Sequence, residues 1–397
     1  MNCTSCRGYL KKKKINLGKF DKSNIFTKKF SNFTKYKKIK LELGECSYCQ
    51  LIQLSTPQNF RFLLPNKNWI VNKEEDKHHI KFSNLLLSNK FIGSNEKILF
   101  LTQYDNKFFD YFHNLGFKNL IKLDLKKHLK FSCKDNHRQE VVQDQLNYKN
   151  SKKIIEKFGK FDFIFCSKLL EHTKRIKNFF GFVNEVLSDN GKIVIDVPDC
   201  QKSLVQGNIT MPWEEHVSYF IKSTLDSTLK IHGYKRTKLK VYKYNQENAL
   251  VGLYQKNTSK KDLKFLKISY LQKFNREVKN FRKKTKKFFL KNSKKTLILF
   301  GAGHNSNAFF NILNLKETNL DIVDDNKNKL NCFFAGTRKK IKSSNLLKKN
   351  FQSIVLLTLN YESEKKIIKL FQSKFKKNNH KYFSIYPDSP NFFLKRI

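Results

Sequence analysis

Four cysteines fall in two pairs with the same internal gap, Cys3-Thr-Ser-Cys6 and Cys46-Ser-Tyr-Cys49. A two-residue gap lets both sulfurs of a pair face one point from a tight turn. Two such knuckles close the tetrahedral four-thiolate site that zinc (Zn) prefers. The competing readings are two disulfides or four ordinary thiols. Met1 leads directly into Asn2-Cys3 with no apolar signal segment, so the expected location is a reducing cytoplasm, where disulfides are rare. Four thiolates leave a metal no open position for chemistry, so the expected role is to hold a small lobe together.

A second group is Trp213-Glu214-Glu215-His216-Val217-Ser218-Tyr219-Phe220. A His beside two carboxylates and near a Tyr suits general-base work. A carboxylate orients the imidazole and raises its basicity, and a phenol can polarise a substrate oxygen. The plainer alternative is a solvated loop with a chance His. Leu169-Leu170-Glu171-His172 follows a strand-like run and, taken alone, reads as an ordinary helix start. Gly301-Ala302-Gly303, with Asp324 about 20 residues later, is a partial dinucleotide fingerprint. Its third small position is Ser306, and a tight βα turn is the alternative reading.

Composition bounds the function classes. The 397 residues are long for one core, so two or three domains are expected. No apolar run reaches the roughly 18 residues a membrane helix needs. The net charge is +47, which suits a nucleic-acid binder. Yet the basic excess is almost all Lys and is spread along the chain, whereas bidentate base contacts favour Arg. A biased composition explains it better, so neither nucleic acid nor a membrane is an expected partner. Such a surface would still attract anionic substrates, nucleotides included.

The elements that must position these groups follow from patterning. Residues 1–57 form the cysteine lobe, with a short strand at Leu51-Ile52-Gln53-Leu54 ended by Pro57. In 58–92, the acidic cluster ending at Asp76 could start a helix carrying Ile80, Phe82, Leu85 and Leu86. From Lys97 strands alternate with helices: strands at 98–101, 120–123, 161–166 and 192–197, and a helix from Ile176 to Leu187 stopped by Asn190-Gly191. Alternation of this kind means a doubly wound parallel sheet, whose ligands bind beyond the carboxyl ends of its strands. Asp124, Glu171 and Asp199 sit at or just after such ends. Residues 58–257 read as this central domain. Residues 258–295 carry Leu263, Leu266, Leu271, Phe274, Val278 and Phe281 at helical intervals, a linking amphipathic helix. A second α/β unit spans 296–397, with strands at 297–300, 320–323 and 353–358.

In this order, the Cys knuckles with Gln50-Leu51-Ile52-Gln53-Leu54, Phe161-Asp162-Phe163-Ile164…Leu170-Glu171-His172, Gly191-Lys192-Ile193-Val194-Ile195-Asp196-Val197-Pro198-Asp199, Glu215-His216-Val217-Ser218-Tyr219-Phe220 and Gly301-Ala302-Gly303…Val323-Asp324-Asp325-Asn326…Lys329…Gly336-Thr337…Asn360-Tyr361…Glu364 carry a resemblance. The chain resembles the three-part S-adenosyl-L-methionine-dependent C-methyltransferases of nucleotide-linked deoxy sugars. That resemblance covers nearly the whole chain. It implies a zinc-binding lobe, a central methyltransferase domain and a C-terminal Rossmann-like domain, that is, an α/β protein with a small metal lobe and two doubly wound units. It further implies a zinc bound by Cys3, Cys6, Cys46 and Cys49. His216 would be the base that removes a proton beside a ketone, with Glu215 as its partner and Tyr219 as a polariser of the enolate oxygen. Gln103, Tyr104, Asp105, Asp124, Glu171 and His172 would line the cofactor site. Gly301, Gly303, Asp324 and Asn360 would meet the nucleotide-linked sugar. The sequence departs from the family in its cofactor loop, Leu101-Thr102-Gln103-Tyr104-Asp105-Asn106-Lys107-Phe108, which has no glycine where the family is glycine-rich. Trp213 stands where a Tyr is common, and Ala335-Gly336-Thr337 replaces Pro-Gly-Thr. Two rival functions remain at this stage: a non-catalytic relative that binds a sugar nucleotide but not the methyl donor, and a basic zinc-bearing nucleic-acid binder. The oligomeric state is not encoded in any feature of the sequence.

Overall fold

A computed structural model describes residues 2–32, 38–70, 75–257, 269–335, 337–349 and 352–395. Leu263, Leu266 and Gly336 lie outside the described residues. Strands are numbered along the chain. The first sheet holds β1 (Ile15–Phe20), β2 (Ile39–Glu45) and β3 (Ile52–Leu54), and is completed by β8 (Ser218–Tyr219), in the antiparallel order β1-β2-β3-β8. Its fourth strand therefore comes from the Glu-His segment, more than 160 positions after β3. Ile15 and Leu17 of β1 are buried, as alternation predicts for a sheet with one packed face, and Phe20 is buried out of phase after the register shift at Asn16/Gly18.

The second sheet holds β4 (Ile98–Phe100), β5 (Leu120–Lys122), β6 (Phe161–Ser167), β7 (Leu187–Asp199), β9 (Tyr234–Tyr242) and β10 (Asn248–Lys256) in the order β5-β4-β6-β7-β10-β9. The pairs β4–β5, β4–β6 and β6–β7 are parallel, and β10 runs antiparallel to both its neighbours. Phe161, Phe163, Ile164 and Phe165 of β6 have no exposed surface, because helices cover both faces of such a sheet. The helix before β7 ends at Val186, earlier than Asn190-Gly191, which lie inside β7. A side chain at Gly191 would run into Leu187, its Cβ 2.4 Å from Cγ, so the glycine serves the strand's close turn there.

Helix Lys77–Ser88 buries His78, His79, Phe82, Ser83 and Leu86. Ile80, expected on the buried face, is 40% exposed. The two histidines win the inward face because Asp196 offers them a buried partner: both Nε2 atoms reach its Oδ2, at 3.1 and 2.9 Å, while the Lys168 Nζ holds Oδ1 at 3.1 Å.

The third sheet holds β11 (Thr296–Phe300), β12 (Leu320–Val323), β13 (Ile341–Lys342), β14 (Ser353–Leu357) and β15 (Lys381–Ser384), all parallel, in the order β13-β12-β11-β14-β15. Helix Tyr270–Lys291 precedes it, capped by the Ser269 hydroxyl. Leu271, Phe274, Val278, Phe281, Thr285 and Phe288 form its buried stripe, spaced three and four apart. The apolar members of this stripe join Leu41 and Leu43 of the first sheet and Leu297 and Leu299 of the third in one core. Each such side chain contributes about 1.5–3 kcal/mol on burial, so the lobe, helix and third sheet are held as one piece. No helix among the described residues is long and apolar enough to cross a membrane.

Candidate functional site

Cys3, Cys6, Cys46 and Cys49 converge: their sulfurs lie within 4.8 Å of one another, and all four are free of disulfides. The Cys3–Cys49, Cys6–Cys46 and Cys6–Cys49 contacts are 3.6, 3.5 and 3.6 Å. Four sulfurs at about 2.3 Å from a central ion would stand about 3.8 Å apart, whereas a disulfide needs about 2.05 Å. The amides of Gly8, Tyr48 and Cys49 donate to Sγ of Cys6 or Cys46 at 3.3–3.5 Å. Such N–H groups stabilise thiolates, so the donor set fits a closed four-thiolate metal site.

Gln53 links this cluster to the Glu-His segment. Its Oε1 accepts from the Thr4 amide and hydroxyl at 3.0 and 3.2 Å, inside the first knuckle. Its backbone pairs with Ser218 in β8, and the adjacent Leu54 amide donates to the Val217 carbonyl at 2.8 Å.

Around β8 a second cluster forms from all three parts of the chain. One carboxylate oxygen of Glu171 and one ring nitrogen each of His172 and His216 lie within 4.8 Å of one another. The Val217 amide donates to the Glu171 carbonyl at 2.7 Å, which fixes the 169–172 turn against the Glu-His segment. Glu171 and His172 are buried, while His216 and Trp213 are only half-buried. The His216 ring stands 4.7 Å from that of His172 and 5.0 Å from that of Trp213. From the third sheet, the His304 ring lies 4.7 Å from Trp213, and its Nε2 reaches the Thr210 carbonyl at 2.9 Å.

The electrostatics divide these groups. Burial works against a charge on His172. The Glu140 carboxylate at 2.7 Å, and then Glu171 and Glu215, outweigh it and push the pKa up to about 9. His216 goes the other way. Burial, then repulsion from the charged forms of His172, His304 and Lys168, hold it well below the usual imidazole range. Burial also raises the Glu171 carboxyl to about 7. The result is a neutral imidazole next to an imidazolium: the neighbouring charge keeps His216 unprotonated and also lowers its basicity.

Two of the expected roles shift. The Glu215 carboxylate is not placed on His216: its Oε1 accepts from Asn24 Nδ2 at 2.8 Å, and burial, then Glu140 and Glu214, raise its pKa well above the carboxylate range. Tyr219 is 1% exposed, and its hydroxyl is used by the Trp213 backbone, accepting from N at 3.0 Å and donating to O at 3.2 Å. It closes the Glu-His turn and does not face a substrate oxygen.

At the carboxyl ends of β4 and β6, Asp105 replaces glycine flexibility with a carboxylate clamp. Its Oδ2 accepts from the Leu101 and Thr102 amides at 3.1 and 2.9 Å and from the Thr102 hydroxyl, and its Oδ1 from the Ser167 amide at 2.9 Å. The clamp is fully buried, and burial raises its carboxyl to about 7. Asp105 is thus a loop staple, unavailable to a cofactor. Gln103 and Tyr104, on the same turn, keep exposed surface. Asp124, at the end of β5, caps the next helix: Oδ1 accepts from the Lys126 and Lys127 amides at 2.9 Å, which lowers its pKa. A half-exposed carboxylate so placed fits a pair of hydroxyl donors such as a ribose presents.

In the third sheet the glycine turn satisfies itself. The Gly301 amide donates to Val323, that of Ala302 to the Asp324 carboxylate at 2.8 Å, and that of Gly303 to the Ser306 hydroxyl at 2.9 Å. Gly301 has φ +102°, and a Cβ there would lie 2.5 Å from the Thr358 hydroxyl. The Lys329 ammonium donates to the same Asp324 oxygen, Oδ2, at 2.8 Å, and the remaining Oδ1 accepts from the Asn326 amide at 2.8 Å. Asn360 caps helix Tyr361–Lys374 by accepting from the Ser363 amide at 2.9 Å. These contacts make Gly301, Gly303 and Asp324 parts of a self-satisfied turn, while the exposed Asn360 caps its helix through Oδ1, with its side-chain Nδ2 outside that bond.

Sequence reasoning missed Glu140, Ser23, Asn24 and His304. Ser23 donates from N and Oγ to Glu214 Oε1 at 2.8 and 2.7 Å. None of these residues sits in a marked spacing, and only the tertiary fold brings them to the cluster.

The comparisons agree with this architecture. The family described as a methyltransferase domain matches residues 93–239, and the family described as a C-methyltransferase C-terminal domain matches residues 238–387. Comparison with curated proteins finds no match. Among solved structures, the chain is similar to a Burkholderia thailandensis 1,6-didemethyltoxoflavin-N1-methyltransferase with bound S-adenosylhomocysteine, at 11% identity and TM-score 0.32, over 46% of this chain and 80% of that one. It is also similar to the magnesium protoporphyrin IX methyltransferase of Synechocystis PCC 6803 with bound SAM, at 7% identity and TM-score 0.29, over 46% and 79%. A protein from Pyrococcus horikoshii OT3 gives 14% identity and TM-score 0.31, over 47% and 93%. The two family matches, which run together from residue 93 to 387, carry the assignment.

Proposed function

We propose that this chain, which matches a methyltransferase domain over residues 93–239 and a C-methyltransferase C-terminal domain over residues 238–387, is an S-adenosylmethionine-dependent C-methyltransferase that methylates a carbon beside the ketone of a nucleotide-linked deoxy sugar. The observation that carries this reading is the half-buried, neutral His216 set beside the His172 imidazolium. A carbon acid next to a carbonyl needs a base that is unprotonated at working pH and a positive charge where the enolate oxygen forms.

In this reading His216 accepts the proton from the carbon. His172, kept charged by Glu140, holds the developing enolate oxygen, the role first expected of Tyr219. The Glu171 carboxylate stands within 4.8 Å of both rings and stabilises the His216 imidazolium once it forms, the role first expected of Glu215. Trp213 packs beside the His216 ring, His304 packs on Trp213, and together they limit water there. The bound cofactor supplies an electrophilic methyl group on a sulfonium. Gln103, Tyr104 and Asp124, at the carboxyl ends of β4 and β5, would hold it. Zinc, bound by Cys3, Cys6, Cys46 and Cys49, keeps the lobe folded over the site. The protein works in the cytoplasm in this reading.

The test is methyl transfer itself. The full, zinc-loaded chain should bind S-adenosylmethionine in a calorimeter and move a labelled methyl group from it to a nucleotide-linked keto-deoxy sugar. Binding without transfer to any such sugar would overturn the substrate class. A folded protein that releases no heat at millimolar cofactor would overturn the cofactor site as drawn.

A further inference from the structure

A cleft of about 550 Å³ that shares no lining residue with the His216 cluster lies between the β9–β10 turn and loop 386–391 after the third sheet. Its walls are tied together. The Lys202 ammonium pairs with Asp388 and donates to the Asn245 carbonyl at 2.9 Å. Among its lining residues is Glu364, which is 1% exposed. Oε1 of Glu364 accepts from the Ser389 hydroxyl at 2.7 Å and from Asn391 Nδ2 at 3.3 Å. Its Oε2 is buried with no hydrogen-bond partner among the described residues.

A buried carboxylate oxygen left without a donor is costly, and buried polar groups are otherwise almost always paired. Here the unpaired oxygen belongs to a residue that lines a cleft large enough for a small molecule. The donor it needs is therefore one that a ligand can bring. On the other side of the cleft, Lys243 is exposed, and Asn245 adds an amide that both donates and accepts. An acceptor in the floor, an amide in the wall and a cation at the rim match a molecule with hydroxyl donors at one end and an acid at the other.

We propose that this cleft is a second small-molecule site, taking a sugar whose hydroxyls donate to Glu364 and whose acidic substituent meets Lys243. The acid could be a phosphate ester or a carboxylate, as in a sugar phosphate or a sugar acid, and the chemistry of recognition is shared. The site goes beyond the methyl-transfer reading and does not depend on it.

The experiment is calorimetric titration of the full chain with glucose 6-phosphate, glucuronate, glucose and inorganic phosphate. One or both acidic sugars should bind at least tenfold tighter than glucose and tighter than phosphate, and which of the two does so identifies the acid. Lys243→Ala should remove that advantage, and Glu364→Gln should weaken the acidic sugar at least tenfold. Equal affinity for all four probes, no binding of either acidic sugar at millimolar concentration, or an unchanged preference in Lys243→Ala would overturn the proposal. If Glu364→Gln does not fold, Asn245→Ala, at an exposed position, replaces it: a threefold or greater weakening supports the site and an unchanged affinity counts against it.

Discussion

The cysteine cluster and the Glu171–His172–His216 cluster are neighbours built on opposite plans. The first gathers four identical ligands, donates backbone amides to their sulfurs and closes on itself. The second mixes acid and base, buries Glu171 and His172 and keeps His216 half-open. A closed set of equivalent ligands can only stabilise, whereas an open set with its proton affinities pushed apart can move a proton. The two are coupled through β3, since Gln53 holds the Thr4 loop with its side chain and Ser218 with its backbone. The metal lobe is thus part of what places His216.

Breaking the closed cluster should have the largest effect. Cys46→Ser, or removal of zinc by a chelator, should unfold the lobe and release β8 as well. Structural zinc is worth on the order of 10 kcal/mol in small metal-folded units. Circular dichroism and methyl transfer should fall together; full activity after metal removal would separate the clusters and break the coupling.

Next comes Asp105→Ala. It strands the buried amides of Thr102 and Ser167, while that of Leu101 keeps the Phe165 carbonyl at 3.1 Å, so urea unfolding should show a loss of about 2–4 kcal/mol. A loss under about 0.5 kcal/mol would mean the carboxylate is not the clamp of that turn.

A smaller and pH-dependent effect belongs to Glu140→Gln. His172 has a folded pKa near 9, above the value near 6.5 of an unfolded His, so its contribution is complete below about 6.5 and is lost as pH rises through about 9. The wild type should therefore lose stability between these values. Without the Glu140 charge the pKa falls, and the variant's stability should be flatter over the same window. Identical slopes for the two proteins would remove His172 as a fixed cation.

The smallest effect is expected for Tyr219→Phe. Its hydroxyl bonds only to the Trp213 backbone in this structure's contacts, so the cost should be about 1 kcal/mol of stability. Turnover should stay within a few-fold; a hundredfold drop would restore the phenol as polariser of the enolate.

Much of the architecture was legible in sequence because long apolar runs bounded by turns have few alternatives. The runs at 98–101, 161–166, 297–300 and 320–323 became strands of the second and third sheets, the first of them ending at Phe100, and the Leu271–Phe281 spacing became one face of a helix. The cysteines were legible because their spacing is itself the geometry. The roles within the Glu-His segment were not. Two residues, Ser218 and Tyr219, form a strand only because β3 lies beside them, and no local pattern encodes a pairing that distant. The same holds for Asn24 taking Glu215 and for Glu140 taking His172, contacts that only the assembled fold creates. Helix Lys77–Ser88 went wrong for a related reason: scoring apolar positions favours Ile80, while the buried partner Asp196 turns His78 and His79 inward.

The most direct measurement compares wild type with His216→Ala for both cofactor binding and methyl transfer to a nucleotide-linked keto-deoxy sugar. Loss of a general base should cost about 10²- to 10⁴-fold in turnover. Cofactor affinity should stay within about threefold, because Gln103, Tyr104 and Asp124 lie on other turns. Undiminished turnover in the variant, or loss of cofactor binding alongside turnover, would contradict His216 as the base of the open cluster.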